Sequence, residues 1–360
     1  MKMDYIIKER FFDDMSGVEP ERVAALRANP FLWQERTPFQ EVGIVDGKAA
    51  GFNYIFPIGL LLDGKEYGGA TGSSLNVQEW ARPSCVGLEL PTVGTDRVAR
   101  DGIAVAASCS KMAIPVHQIN GYKYFFMPRL IGLFKSRSVV ETVLKNRGFA
   151  RGAAWIVDRA LGGMSLMLEA VCRMRLRSVE MALVRPDDGE ALKEIADIIR
   201  QDGHRFSELH DERWLKWHLT QSFSKDGPCR AWIFRQHGQP VGFVMLKKRF
   251  HAQASHRGFR NVWLASFGEW GWAKGSESLL KWMILSGAFL MRREGVDACE
   301  LVTVDPKLQK FFRKIGWRQV GESNYGVKVW PRSPLIGLKK ALQEAANWRL
   351  RPAMGDNGLS

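Results

Sequence analysis

Along the chain, short apolar runs alternate with turn residues, and a similar order of elements is read twice. Residues 19–33 hold apolar positions ahead of Asn29-Pro30, which predicts a short helix. Between residues 41 and 77, β-rich apolar runs are separated by Asp46-Gly47 and Asp63-Gly64, dipeptides that favour tight hairpin turns. A meander of about three antiparallel strands is predicted there. A loop at residues 82–87 (RPSCVG) follows, then a weak helix interrupted by Pro91 and a short buried strand, Ile103–Ala107. The segment VHQINGYKYFF reads as a helix, a glycine and an aromatic strand.

From Val179 the pattern begins again. Pro186-Asp187-Asp188 opens a helix, EALKEIADIIRQ, and ERWLKWHL gives a second with Trp214, Leu215 and Trp217 for burial. Two strands surround the turn His237-Gly238-Gln239-Pro240, and NVWLASFGEW is another strand. The longest clear helix, SESLLKWMILSGAFLMRREG, is stopped by Gly295, and CELVTVD follows as a strand. Phe311-Phe312-Arg313-Lys314-Ile315-Gly316-Trp317 then repeats the helix–glycine–aromatic unit. PLIGLKKALQEAANWRLR predicts a basic amphipathic helix before a polar tail, one that docks on the protein or touches a membrane. The expected class is α+β, a mixed and largely antiparallel sheet flanked by helices, built as two imperfect tandem copies. The expected boundaries are 1–130, a basic apolar connector at 131–178, a second domain at 179–332, and the helix and tail at 333–360.

Composition changes this picture in few places. Three hundred and sixty residues, 46% apolar and 25% charged, are those of a globular chain of about two domains. The formal net charge of +14 favours anionic partners such as CoA phosphates, nucleic acid or an anionic membrane surface. Between Lys123 and Arg177, eleven Lys/Arg stand against three Asp/Glu, which concentrates the charge in apolar helical segments. A linker helix with a solvated basic face is the preferred reading of that stretch; peripheral contact with an anionic inner membrane surface is the alternative. Nucleic-acid binding ranks lower, because no reader motif is present. Five scattered cysteines indicate neither a disulfide framework nor a metal site. The first residues lack the apolar core of a secretion signal, so the cytoplasm is the expected location.

The stretch ATGSSLNVQEWARPSCVGLEL is a strand feeding a turn at the mouth of a helix, where free backbone N–H groups and the helix dipole favour a phosphate. It resembles the acyl-CoA pyrophosphate loop of the GNAT (GCN5-related N-acetyltransferase) superfamily, Arg/Gln-x-x-Gly-x-Gly/Ala. Arg82 and Gly87 stand at the outer positions, Cys85 replaces the central glycine, and Pro83 removes one donor. The cradle residues implied are Val77, Arg82, Ser84, Cys85, Val86 and Gly87. In the second copy Gly271 and Ala273 fit the small positions, Gly268 replaces the Arg/Gln, and Lys274, Gly275 and the Ser276 helix start add contacts. VHQINGY is similar to the family's closing Leu-Tyr-Glu-Lys-x-Gly-Phe, with His117 where the family often has an acid tyrosine; Phe312 takes that place in the second copy. Glu269 is the carboxylate candidate for a base, Ser108, Cys109 and Ser110 could line the acceptor or thioester site, and Asp305 reads as a helix cap.

The resemblance implies two tandem GNAT-like domains and an N-acyltransferase with acetyl-CoA or another acyl-CoA as donor. The acceptor would be an amine of a small molecule, amino sugar or amino acid. Two alternatives stay open: a catalytically degenerate binding module, and a transferase acting on a cell-envelope precursor at the membrane surface.

Overall fold

Asp46-Gly47, Asp63-Gly64 and His237-Gly238 all adopt positive φ at both residues, the geometry of two-residue hairpin turns. They join the longest strands into ribbons, as the dipeptides predict. The computed structural model describes residues 4–32, 37–136, 147–221, 226–252 and 261–352. The strands within it are β1 (Tyr5–Arg10), β2 (Gln40–Val45), β3 (Lys48–Leu62), β4 (Lys65–Val77), β5 (Ile103–Ala107), β6 (Lys123–Leu133) and β7 (Glu180–Val184). They continue with β8 (Phe206–Glu208), β9 (Arg230–Gln236), β10 (Gln239–His251), β11 (Val262–Trp272), β12 (Ala298–Val302) and β13 (Arg318–Val329).

All belong to one sheet in the order β1-β2-β3-β4-β5-β13-β6-β12-β11-β10-β9-β7, with β8 added beside β3. Every pairing is antiparallel except β4–β5 and β11–β12. The order reads the same from both ends, with β1 to β6 answering β7, β9, β10, β11, β12 and β13. The sixth strand of each half is exchanged: β13 lies against β5, and β6 lies against β12. Each half therefore completes the other's sheet.

The helices are α1 (Pro20–Arg27), α2 (Val86–Val98), α3 (Ala113–Ile119), α4 (Arg147–Arg175), α5 (Gly189–Arg200), α6 (Glu212–Thr220), α7 (Glu277–Arg293), α8 (Pro306–Lys314) and the single turn α9 (Lys339–Leu342). Asp188, Asp211 and Asp305 cap α5, α6 and α8, each accepting a backbone N–H of the first turn. Alternate residues of β10 separate the two faces. Phe243 and Met245 join the core under α1, α5 and α6, with Phe56, Ile195 and Trp217. Val244 and Leu246 join the core under α4, α7 and α8, with Phe267, Ile284 and Phe312. In the N-terminal half the second face is covered by α2 and α3. Trp214, Trp217 and Trp348 lie in the core under α1, α5 and α6, and Trp232, Trp270 and Trp317 in the core under α4, α7 and α8.

Two expectations are corrected, and two strands are added. β1 and β8 are strands in segments to which the hydrophobic pattern assigns no element; both are short segments that gain order by pairing at β2 and β3. The predicted C-terminal amphipathic helix is instead a 3-10 turn (Ile336–Leu338), the single turn α9, a second 3-10 turn (Ala345–Asn347) and an extended end. That end is buried on both sides: Trp348 and Leu350 enter the apolar core, while Arg349 and Arg351 meet buried carboxylates. Satisfied charge on one side and apolar burial on the other outweigh helix propensity over so short a segment. The second correction concerns β11 and is given with the site. Of the basic connector, residues 137–146 lie outside the described residues.

Candidate active site

In each half the two parallel strands part almost at once. β4 and β5 pair only at Ala70–Ala104 and Thr71–Val105, and β11 and β12 part after Ser266–Glu300. Just beyond each parting, the strand that leads to a helix bulges. Residues 74 and 75 of β4 face the single residue Asn53, and Gly268 of β11 has no partner between Met245 and Leu246. A bulge beside a splay turns ladder N–H and C=O groups into the opening. This backbone device occurs at equivalent places in both halves.

The strands then run into helix mouths of different build. After β4 comes a 3-10 turn, Glu79–Ser84, then Cys85 with φ +66°, then α2. A non-glycine residue in this left-handed region is uncommon, and Cys85 holds the place of the motif's central glycine. The turn satisfies much of its own backbone: Cys85 N–H donates to Arg82 O and Val86 N–H to Ser84 Oγ, both at 3.3 Å. Gly87 lies against Val77, where a Cβ would stand 3.1 Å from Val77 Cγ2. Val77 and Val86 thus form the packed floor of the mouth, with Arg82 and Cys85 at its exposed rim.

In the second half, β11 continues through Trp272, so the loop is only Ala273 to Ser276. Gly271 is paired with Phe243 inside the sheet, and a Cβ there would strike Phe243 and Ile198. It is a packing glycine of a buried strand and not part of the loop, because the β10 ladder carries the strand past it. Ala273, Lys274 and Gly275 remain in the mouth, Gly275 with φ +90°. Gly275 N–H donates to Glu277 Oε1 at 3.1 Å. Bonds from Glu277's own main chain and from Gly275 hold that exposed carboxyl below its usual range. The mouth of α7 therefore already grips an oxyanion, supplied by its own first turn.

The closing units are equivalent down to the hydrogen bonds. Tyr122 N–H donates to His117 O and Trp317 N–H to Phe312 O, with Gly121 and Gly316 both at positive φ. His117 is buried under α3. Its Nδ1 lies 2.5 Å from the Tyr124 hydroxyl and 3.6 Å from Cys109 Sγ. Burial, aided by the Lys328 charge, brings the imidazole down to about 4, so it is neutral at pH 7. Cys109 is anchored from the exchanged strand: its N–H donates to Asn324 Oδ1 and its carbonyl accepts from Asn324 Nδ2, both at 2.9 Å. The Ser108 and Ser323 hydroxyls are 3.0 Å apart.

Glu269, one residue past the Gly268 bulge, is fully buried. Arg349 donates to both of its oxygens at 2.8 Å and His210 Nδ1 lies 2.6 Å from Oε2. Burial raises this carboxyl, but Arg349 and the His210 hydrogen bond outweigh it and bring it to about 2. Arg349 also reaches Asp202, as does Arg351, and Glu208 bonds the Tyr325 hydroxyl at 3.1 Å. None of Asp202, Glu208, His210, Arg349 and Arg351 was singled out from sequence; the one local trace is the alternation Trp-Arg-Leu-Arg, which marks a strand-like segment.

Where β11 and β12 part, a small cavity of about 30 Å³ is lined by Ser108, Arg129, Lys247, Ser266, Gly268 and Glu300, among others. Glu300 accepts from Ser266 Oγ at 2.8 Å and pairs with Arg129 Nε at 3.0 Å. Burial lowers the Lys247 ammonium to about 8. The cavity joins the bulge of one half to the β5 end of the other.

No family model and no curated protein matches the sequence. Solved structures do. The chain is similar to Saccharomyces cerevisiae N-myristoyltransferase with bound myristoyl-CoA and inhibitors, with a TM-score of 0.57 and 10% identity over 92% of this chain and 81% of that one. It is similar to a fungal multi-domain GH3 β-N-acetylglucosaminidase with a GCN5-related glucosamine N-acetyltransferase region, with a TM-score of 0.56 and 12% identity over 90% of this chain. The chain spans 38% of the length of that protein. A GCN5-related N-acetyltransferase from Anabaena variabilis matches at a TM-score of 0.50 and 10% identity, over 91% and 73% of the two chains. With parted parallel strands, bulges and helix mouths in place, this chain has the GCN5-related N-acetyltransferase fold.

Proposed function

We propose that this chain is an acyl-CoA-dependent N-acyltransferase of two tandem halves, with the donor held in the second. The halves are residues 1–130 and 179–332, joined by 131–178 and closed by 333–360. The observation that carries the choice of half is the mouth of α7, where the main chain holds the Glu277 carboxylate as it would hold a phosphate oxygen. The amides of Ala273 to Ser276 and the Lys274 ammonium would bind the diphosphate, with Glu277 displaced. The Gly268 bulge would direct backbone N–H groups at the acyl carbonyl. Acyl-CoA supplies the activated acyl group; acetyl-CoA is the first donor to test. The cavity at Lys247, Ser266 and Glu300 would take the acceptor amine, and Lys247 Nζ, near 8, exchanges protons with an ammonium close to neutral pH. Glu269 serves here as the fixed charge that anchors residues 349–351, and His117 as a neutral packing partner of Tyr124. The first half is the supporting lobe, its loop amides at residues 85 and 86 being engaged in their own turn.

The experiment is thermal unfolding of the full chain with acetyl-CoA and longer acyl-CoAs, followed by thiol release over a panel of amines. A saturable rise in melting temperature with at least one acyl-CoA is expected, together with amine-dependent thiol release. No stabilisation by any of them would remove the proposal. A second reading, a binding module without turnover, is favoured by Phe312 at the closing-helix position and by the sealed Glu269. It requires stabilisation with no thiol release from any amine.

A further inference from the structure

α4 is about 44 Å long and faces two ways. Its inward edge is seated on the second half: Ser165, Glu169 and Cys172 are buried, as is Leu176 just past its end, and Cys172 Sγ donates to Trp282 O at 3.2 Å. Its outward side is apolar. Trp155 is 60% exposed, Ile156 64%, Leu166 63%, Met167 63% and Met174 65%. Trp155 with Leu166, and Ile156 with Met167, lie close to three helical turns apart, so with Met174 these side chains form a broad stripe of two rows about 100° apart around the helix. Beneath the helix, Leu161, Met164 and Leu168 line an apolar cavity of about 350 Å³ against Phe289 and Trp317, so the apolar surface continues around its edge.

The charges beside the stripe have one sign. The acids of the described side chains of α4 are engaged toward the protein: Asp158 accepts the Ser136 N–H, and Glu169 pairs with Arg293, Arg292 and Arg173. Arg159, Arg173 and Arg175 are exposed, with the Arg159 guanidinium 4.7 Å above the Trp155 ring. Single exposed apolar residues need no explanation, but five of them on one side of a helix, interspersed with arginine, mark a docking face. Arginine and tryptophan beside flexible apolar side chains suit a bilayer interface with anionic headgroups. Among the described residues no helix is long and apolar enough to cross a membrane, so the contact would lie along the surface.

We infer that the outward face of α4 docks the protein on an anionic lipid bilayer, with Trp155, Ile156, Leu166, Met167 and Met174 in the acyl boundary and the arginines at the headgroups. This inference is independent of the acyl-transfer reading. It is tested by sedimenting the full chain with vesicles of phosphatidylcholine alone and of phosphatidylcholine with phosphatidylglycerol. Binding to the mixed vesicles only is expected, weakening as salt is raised. The triple variant Trp155→Ser, Leu166→Ser, Met167→Ser should lose roughly tenfold or more in partitioning while its melting temperature stays that of the parent. Arg159→Gln with Arg175→Gln should weaken binding to the mixed vesicles as well. Equal binding to both vesicles, or undiminished binding by the triple variant, overturns the inference. So does a dimer, seen by light scattering and abolished in the triple variant, without vesicle binding; the face would then belong to a second copy.

Discussion

The two halves share a backbone plan and differ in the charge placed on it. Both have a meander, a bulged strand, a parallel fifth strand and an exchanged sixth. At and just past the bulge, the first half has Leu75 and Val77, which pack under α2. The second half carries Glu269 at that point, locked by Arg349 and His210. At the mouths, the first half places Cys85 in a left-handed conformation after a long turn, while the second uses a four-residue loop with Gly275. On the closing helices His117 stands where Phe312 stands. The two halves share ladder geometry and not side-chain chemistry. A splay and a bulge need only strand pairing, whereas a buried ion network needs every member present.

The largest break in the comparison should come from Arg349→Ala. It leaves Glu269 and Asp202 buried with fewer counter-charges, and a loss of about 3–5 kcal/mol is expected, read by urea unfolding. A loss below the size of a surface substitution would mean that the network is not what holds the second half to its tail.

Glu41 is the first half's own buried carboxyl. Burial, then the Glu9 charge, raise it from an ordinary 4.5 to about 8. The folded protein keeps this proton while the unfolded chain releases it near 4.5, so the neutral acid costs nothing below that pH. Stability attributable to the group then falls as pH rises from 4.5 to 8 and stays low above. Glu41→Gln should remove that slope and gain about 4 kcal/mol at pH 8, with little change at pH 4. Parallel pH profiles for parent and variant would contradict the assignment.

The two mouths can be compared by exchanging their left-handed residues. Gly275→Ala should destabilise by about 1–2 kcal/mol through its positive φ, and Cys85→Gly should be neutral or stabilising by less than about 1 kcal/mol. Thermal melts decide both, and a costly Cys85→Gly would mean that the thiol, not the conformation, is needed there.

The smallest effect is on binding alone. Glu277→Gln removes the anion competing for the α7 mouth and should tighten acyl-CoA binding severalfold by calorimetry, with at most a small fall in melting temperature of the free protein from the lost Gly275 contact. Unchanged affinity would point away from the second half as the donor site.

Much of the local plan was legible. Asp-Gly and His-Gly turns announced the hairpins because only a few residue types tolerate two positive φ angles in succession. Asp305 was read as a cap and is one. The helix–glycine–aromatic repeat located His117 and Phe312 at equivalent positions. The second mouth was read too early in the chain, because Gly268 and Gly271 look like loop residues; one is a bulge and the other a close-packing contact inside β11. Sequence alone does not distinguish these uses of glycine.

What the sequence by itself determined is what short range controls: turns, caps, strand and helix periods, and the double run of one element order. Only the tertiary structure decided that β6 and β13 change places, that Asn324 fixes Cys109, and that residues 348–351 leave helical propensity to meet Glu269 and Asp202. These depend on partners distant in the chain. Their energies come from desolvating charges and completing ladders, which no local window of sequence contains.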